Sequence, residues 1–167
     1  MFRFRDIRVR LALVVGSLMY AAGPCEAATA TTTFTVQITI LANCAINSAS
    51  TLDFGGQGLL SANVDNTSTI LVTCTNTTPY NIGLSAGTGT GATVATRKMT
   101  AGGNTIDYSL YRDAARSQVW GTTIGTDTVA ATGNGASQTH TVYGRVPPQT
   151  TPAPAIYSDT ITVTVTY

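Results

Sequence analysis

Few side chains in this chain of 167 residues are suited to chemistry, and the cysteines come first. Cys44 and Cys74 lie thirty positions apart, while Cys25 sits near the start between Pro24 and Glu26. With His140 as the single histidine, two cysteines fall short of a four-ligand zinc site. In an oxidising compartment Cys44 and Cys74 should instead bridge each other. Closing that loop would stabilise a fold by roughly 3–4 kcal/mol on the chain-entropy model. Cys25 could be the acylated first residue of a lipoprotein, but that chemistry wants Gly, Ala or Ser before the cysteine. Pro24 stands there, so Cys25 is read as part of a discarded leader.

Catalytic groups are sparse. His140 lies in the alternating run Thr139–Val142 and reads as a strand-surface residue rather than a base. The carboxylates beyond Glu26 are scattered, and the nearest pair, Asp107 and Asp113, is expected on opposite or distant faces. Two such groups would have to flank one bond to hydrolyse a glycoside. No enzyme activity, metal or cofactor is expected. Asn66-Thr67-Ser68 and Asn76-Thr77-Thr78 fit the N-glycosylation pattern but read as turn residues in a threonine-rich chain. Arg112, Asp113 and Arg116 read as a solvated turn with local ion pairs.

The opening residues have a different purpose. Arg3, Arg5, Arg8 and Arg10 precede an apolar run from Leu11 to about Ala22, and Pro24-Cys25-Glu26-Ala27-Ala28 follows. Basic, apolar and small-residue regions in that order make a secretory signal peptide. The apolar run is about a dozen residues, against the roughly 20 that span a bilayer. Cleavage is expected after Ala27 or Ala28, which makes residues 1–27 the signal peptide. The formal charge of the whole chain is +1. Beyond the cut, five cations face six carboxylates, a formal charge of −1. No basic footprint for nucleic acid or for a membrane surface is left.

The elements that would position any site are strands. About 140 residues follow the cut, enough for one domain, and about a fifth of them are threonine. Few charges, many glycines and repeated period-two alternation point to strands and turns. Strands are expected at Phe34–Ile40, Ala45–Ile46, Leu52–Phe54, Ser68–Thr75, Tyr80–Leu84, Ile106–Tyr111, Val119–Trp120, Ser137–Val146 and Ile161–Tyr167. Ser85–Ala92 reads as a loop, and the four prolines of Pro147–Pro154 forbid a central strand there. The spacing predicts an all-β antiparallel sandwich of immunoglobulin type.

Two of these segments stand apart. Phe34, Val36, Ile38 and Ile40 alternate with polar residues a few positions after the cut, and the same pattern returns at the last residues of the chain. Both could be ordinary strands of one closed sandwich. Alternatively the first is donated to a neighbouring molecule, with the last strand as an uncapped edge that templates the pairing.

Several motifs then carry a resemblance. Val72-Thr73-Cys74-Thr75-Asn76, Tyr108-Ser109-Leu110-Tyr111-Arg112-Asp113-Ala114-Ala115-Arg116, Trp120-Gly121, Val142-Tyr143-Gly144-Arg145-Val146-Pro147 and the ending Tyr157–Tyr167 occur in order. From about Thr33 to Tyr167 the chain resembles the spore coat protein U domain family, which includes the pilins of archaic, Csu-type chaperone–usher systems. The resemblance implies an incomplete immunoglobulin-like antiparallel β-sandwich, completed by a donated N-terminal strand. A periplasmic chaperone would fill the gap first. At an outer-membrane usher, the N-terminal extension of the next identical or homologous pilin subunit would replace it. Carried over, residues 28–41 are the donor extension, with Phe34, Val36, Ile38 and Ile40 as donor side chains, and residues 42–167 are the pilin domain. Ile161, Val163, Val165 and Tyr167 are the edge strand of the acceptor groove, and Cys44–Cys74 is the bridge near the start of the fold.

The function expected is therefore a non-catalytic subunit of a bacterial surface pilus or coat, exported through the periplasm and serving adhesion or biofilm formation. With one domain and no added receptor-binding domain, a shaft or minor subunit is implied. The rival expectation is a monomeric secreted binding module for carbohydrate or another surface ligand, with Tyr80, Tyr108, Tyr111 and Trp120 as contacts.

Overall fold

The computed structural model describes residues 23–167. The basic and apolar parts of the expected signal peptide lie outside the described residues. The chain divides into two units, one ending at Ile38 and one running from Thr39 to Tyr167. In the first, residues 23–38 form no regular secondary structure and their side chains are exposed.

The second unit is all-β among the described residues. Its strands are β1 (Cys44–Ala49), β2 (Val64–Cys74), β3 (Pro79–Leu84), β4 (Arg97–Ala101), β5 (Asn104–Tyr111), β6 (Val129–Thr132), β7 (Ser137–Val146) and β8 (Val163–Thr166). Five strands form one sheet in the order β1-β2-β7-β5-β4, and three form the other in the order β6-β3-β8. All pairings are antiparallel.

Period-two patterning explains the core. Ile70, Val72 and Cys74 of β2, Tyr80, Ile82 and Leu84 of β3, Leu110 of β5 and Val142 of β7 point inward and are buried. Trp120 lies between the sheets, 1% exposed, and donates its indole N–H to the Ile82 carbonyl at 2.8 Å. Cys44 and Cys74 form a disulfide across directly paired positions of β1 and β2.

Several expectations change. β7 spans the predicted residues, and β3 begins one residue early. The alternating run Phe34–Ile40 forms no strand, because a strand needs a ladder partner and the run has none among the described residues. Leu52–Phe54 is likewise irregular, and Val119 makes only an isolated bridge to Tyr111. The last strand is Val163–Thr166, shorter than predicted. β4 and β6 were not foreseen.

β4 carries a polar core residue. Arg97 has no exposed surface. Its guanidinium donates to the carbonyls of Ser85 (2.8 Å), Val94 (2.7 Å), Leu84 (3.1 Å) and Trp120 (2.7 Å). Four carbonyls at the end of β3 and the flanking loops thereby find a donor, which buried backbone groups require. Burial pushes the Arg97 pKa down from its ordinary value. Arg97→Met should destabilise the fold by at least about 3 kcal/mol, because it leaves buried acceptors unsatisfied. Arg97→Lys should lose nearly as much, since one flexible ammonium cannot reproduce the planar fork. Urea unfolding of each variant against the parent measures both.

Candidate functional site: an open groove beside β8

The two sheets differ by two strands, and the shortfall is felt at β8. This strand pairs with β3 through Leu84↔Val163, Gly83↔Thr164, Ile82↔Val165 and Asn81↔Thr166. Among the described residues no strand pairs with its other edge. Alternate backbone groups on that edge are therefore left without ladder partners. In the facing sheet β1 is also an edge strand, and Ala45–Ala49 are exposed, with Ile46 42% exposed. One strand is missing from the three-stranded sheet, under β1 and next to β8.

The gap opens onto the core. A cleft of about 450 Å³ runs between residues 49–54, at and beyond the end of β1, and residues 157–163, which lead up to the first residue of β8. Ile70, Leu84, Leu110 and Val142 line it from the sheets. A second cleft of about 650 Å³ shares Leu52, Phe54, Met99 and Tyr157 with the first and extends it between residues 52–58 and 152–157. Together they make a long apolar groove.

Each wall has a sequence reason for its position. Gly144 occupies an inward position of β7, where a Cβ would come within 2.7 Å of Leu52 and 2.9 Å of Phe54. The glycine lets this irregular segment lie over the sheet. On the other wall Asp159 is the anchor: its carboxylate accepts the Tyr108 hydroxyl (2.7 Å), the Thr88 N–H (2.7 Å) and the Thr88 hydroxyl (2.9 Å). Burial first, and then this hydrogen bond, push the Tyr108 pKa up, so the phenol stays a donor. Gly87 has φ +88°, and a Cβ there would strike the Asp159 carboxylate. Ser158 bridges Thr100 of β4 through hydrogen bonds of 2.9 and 3.2 Å, and the Ser85 N–H donates to the Thr162 carbonyl at 3.0 Å. The wall is thus tied down behind while its front edge is open.

Of the residues singled out from sequence, Ile161 and Val163 line the first cleft. Val165 packs on the core beside them, half-buried. Tyr167 is 57% exposed and donates its hydroxyl to Asn43 Oδ1 at 3.2 Å. Phe34, Val36, Ile38 and Ile40 are large apolar side chains that are 87%, 83%, 83% and 72% exposed. Sequence reasoning gave no role to Asp159 or Met99 and took Leu52 and Phe54 for strand residues. Asp159 lies inside one of the motifs that carried the resemblance, which is the signal that could have found it.

Candidate catalytic groups are otherwise engaged. His140 is not on the strand surface: it points inward, its Nε2 2.9 Å from the Tyr80 hydroxyl across the sandwich. Asp107 pairs with Lys98 at 2.7 Å. Asp113 accepts backbone N–H groups from Ser117 and Gln118 instead of pairing with Arg112 or Arg116. Arg112 donates to the Thr128 carbonyl, and Arg116 donates to the Gly144 carbonyl and lies 3.4 Å from Asp65. The expectation that no Gly-x-Ser-x-Gly elbow occurs does not hold, because Gly83-Leu84-Ser85-Ala86-Gly87 has that spacing. Ser85 Oγ is occupied by the N–H groups of Gly87 and Thr162, and His140 bonds Tyr80. Of the aromatic contacts expected for a binding module, Tyr80, Tyr108 and Trp120 are buried, and Tyr111 is half-buried. Asn66 sits in β2 with its amide donating to the Asp53 carbonyl, not in a turn.

An all-β chain of two antiparallel sheets, one of them stopped short at an unpaired inner edge, is an incomplete immunoglobulin-like sandwich. The Spore Coat Protein U domain matches residues 30–164, and the chain belongs to that family. Among solved structures it is similar to a chain in the complex of the CsuC chaperone and the CsuE tip adhesion subunit. That is a pre-assembly complex from the archaic chaperone–usher Csu pili of Acinetobacter baumannii. The TM-score is 0.55 at 24% sequence identity, over 77% of this chain and 40% of that one. The chain thus spans less than half the length of the structure it matches. No curated protein matches it.

Burial holds the His140 pKa below its ordinary 6.5. The neutral imidazole contributes stability that is complete above about pH 6.5 and is lost as pH falls through the lowered folded-state value. The unfolding midpoint should therefore drop between neutral and mildly acid pH. His140→Gln, which keeps a partner for Tyr80 but does not titrate, should flatten that drop in a pH series of urea melts.

Proposed function

We propose that the chain is a non-catalytic structural subunit of a bacterial surface fibre, a pilus or a coat, assembled by donor-strand exchange. The observation that carries this reading is the free edge of β8 beneath an uncovered β1, open along a groove to the apolar core. Residues 34–40 of a second copy are the occupant. They alternate apolar and polar side chains with the period of a strand and carry no charge. Seated beside Ile161, Val163, Val165 and Tyr167, the donor would pair with the β8 edge and turn Phe34, Val36, Ile38 and Ile40 toward the core. Each such side chain contributes roughly 1.5–3 kcal/mol on burial, before ordering. A one-residue slip would bury Thr35, Gln37 and Thr39 instead, so the register is fixed by the pattern.

Further parts of the reading follow from the same gap. Residues 1–27 are a signal peptide, 28–41 the donor extension and 42–167 the acceptor domain. A groove exposing core and unpaired backbone is prone to aggregate. A periplasmic chaperone would cover it until an outer-membrane usher brings two subunits together, and the fibre would serve attachment or biofilm formation. The chaperone in the complex containing the similar structure supports that route. A monomeric binding module is less well supported, since three of its four proposed contacts lie in the core.

Val36→Asp or Ile38→Asp should abolish the heat-sensitive, detergent-resistant oligomers that the parent forms, with loss of at least tenfold on an unheated gel. Capture by a co-expressed chaperone should persist, because the groove is untouched. A chain lacking residues 28–41 should behave in the same way. If that truncated chain is instead a stable monomer with unchanged properties, the donor-strand reading is wrong.

A further inference from the structure

The start of β1 is tied down more firmly than an edge strand needs. Asn43 donates its N–H to Thr75 Oγ1 at 3.0 Å and accepts the Thr75 N–H on its carbonyl at 2.9 Å. Its side-chain Oδ1 accepts the Tyr167 hydroxyl from beyond the end of β8 at 3.2 Å. Thr75 Oγ1 is itself 2.7 Å from Thr78 Oγ1. The next residue, Cys44, is bonded covalently to Cys74. The ladder thus continues one residue past β1, and the direction of the chain at Asn43 is set. Between Asn43 and Ile40, the last of the in-phase apolar side chains, stand only Leu41 and Ala42.

This joint decides which groove the preceding segment can enter. To fill the slot of its own domain, the chain would have to reverse or cross between sheets, which pack roughly 10 Å apart. A two-residue reversal needs a left-handed backbone at one or both positions and favours Gly, Asn or Asp. Leu41 and Ala42 are poor choices for it. A longer loop is possible only by spending Ile40, which removes one of the four apolar side chains from the slot.

We propose that Asn43, held by Thr75 and Tyr167, is a specificity-determining anchor that prevents the chain from capping its own groove and so directs residues 34–40 into a second copy. The inference rests on the donor-strand reading above. Its physical core is a competition between two closures of one groove. With a linker long enough to turn, the intramolecular closure operates at an effective concentration of about millimolar. Against micromolar subunits that is roughly a thousandfold advantage, and the short pinned joint denies it.

Inserting Gly-Ser-Asn-Gly between Ala42 and Asn43 of the full chain tests this, since every donor and groove residue is kept. Detergent-resistant oligomers should fall at least tenfold relative to the parent. A monomer with a raised unfolding midpoint should replace them. Adding Val36→Asp to the inserted chain should remove that rise, which a merely loosened joint would not do. Asn43→Gly without insertion should shift the balance the same way by a smaller amount. The inference is overturned if the inserted chain polymerises as the parent does, or if its monomer melts where its Val36→Asp version melts. A parent that forms no such oligomers defeats the donor-strand reading itself, and this inference with it.

Discussion

A β-strand inside a sheet has two neighbours to satisfy its backbone, and among the described residues β8 has one. The rest of the molecule is arranged around that deficit. β3 completes one side of β8 through four paired positions, and the other side opens on a groove whose floor is the core of the sandwich. An unpaired polar backbone next to exposed apolar side chains is unfavourable on both counts. The fold sustains it by fixing the walls independently of what lies between them. Asp159 ties one wall to Tyr108 and Thr88, Gly144 makes room for the other, and the Cys44–Cys74 bridge secures β1 to β2.

The interior gives up some apolar volume to polar groups such as Arg97 and His140, which find partners there. Arg97 spends its guanidinium on carbonyls and carries no carboxylate in direct contact. His140 and Tyr80 join the two sheets near the start of β7, which pairs with the disulfide-bearing end of β2. Such networks hold a shape when satisfied and are unfavourable when broken. They suit a sandwich that cannot rely on a complete second sheet.

In the proposed fibre, the same deficit becomes the bond between subunits. A donated strand would bring ladder hydrogen bonds and apolar side chains at once, so the junction would have the character of a domain interior rather than of a surface contact. Its direction and register would come from alternation along residues 34–40. Its choice of neighbour over self would come from the short joint before β1.

Much of this was legible in the residues. β7 was readable because Val142, Gly144 and Val146 fall on alternate positions and Gly135 and Pro147 punctuate its two ends. The core half of β2 was legible for the same reason, and the cysteine pair followed from count and compartment. β4 was hidden because Arg97-Lys98-Met99-Thr100-Ala101 has no apolar alternation; it is a strand because β5 pairs with it. β6, Val129-Ala130-Ala131-Thr132, is drawn out by β3 in the same way. His140 looked like a surface residue because sequence shows phase but not which face is inward. Leu52 and Phe54 kept a strand's alternation and yet became a groove wall, because β7 leaves them space only at Gly144. By itself the sequence determined that this is an all-β chain with alternating segments, a pairable cysteine couple and an alternating apolar run at Phe34–Ile40, since those depend on local period and residue type. The tertiary structure alone decided that one sheet ends a strand early, that Asp159 anchors one wall of the groove while Arg97 satisfies buried carbonyls in the core, and that Asn43 pins the joint. Those depend on which distant residues meet, and pairing between strands is not written in the period of either one.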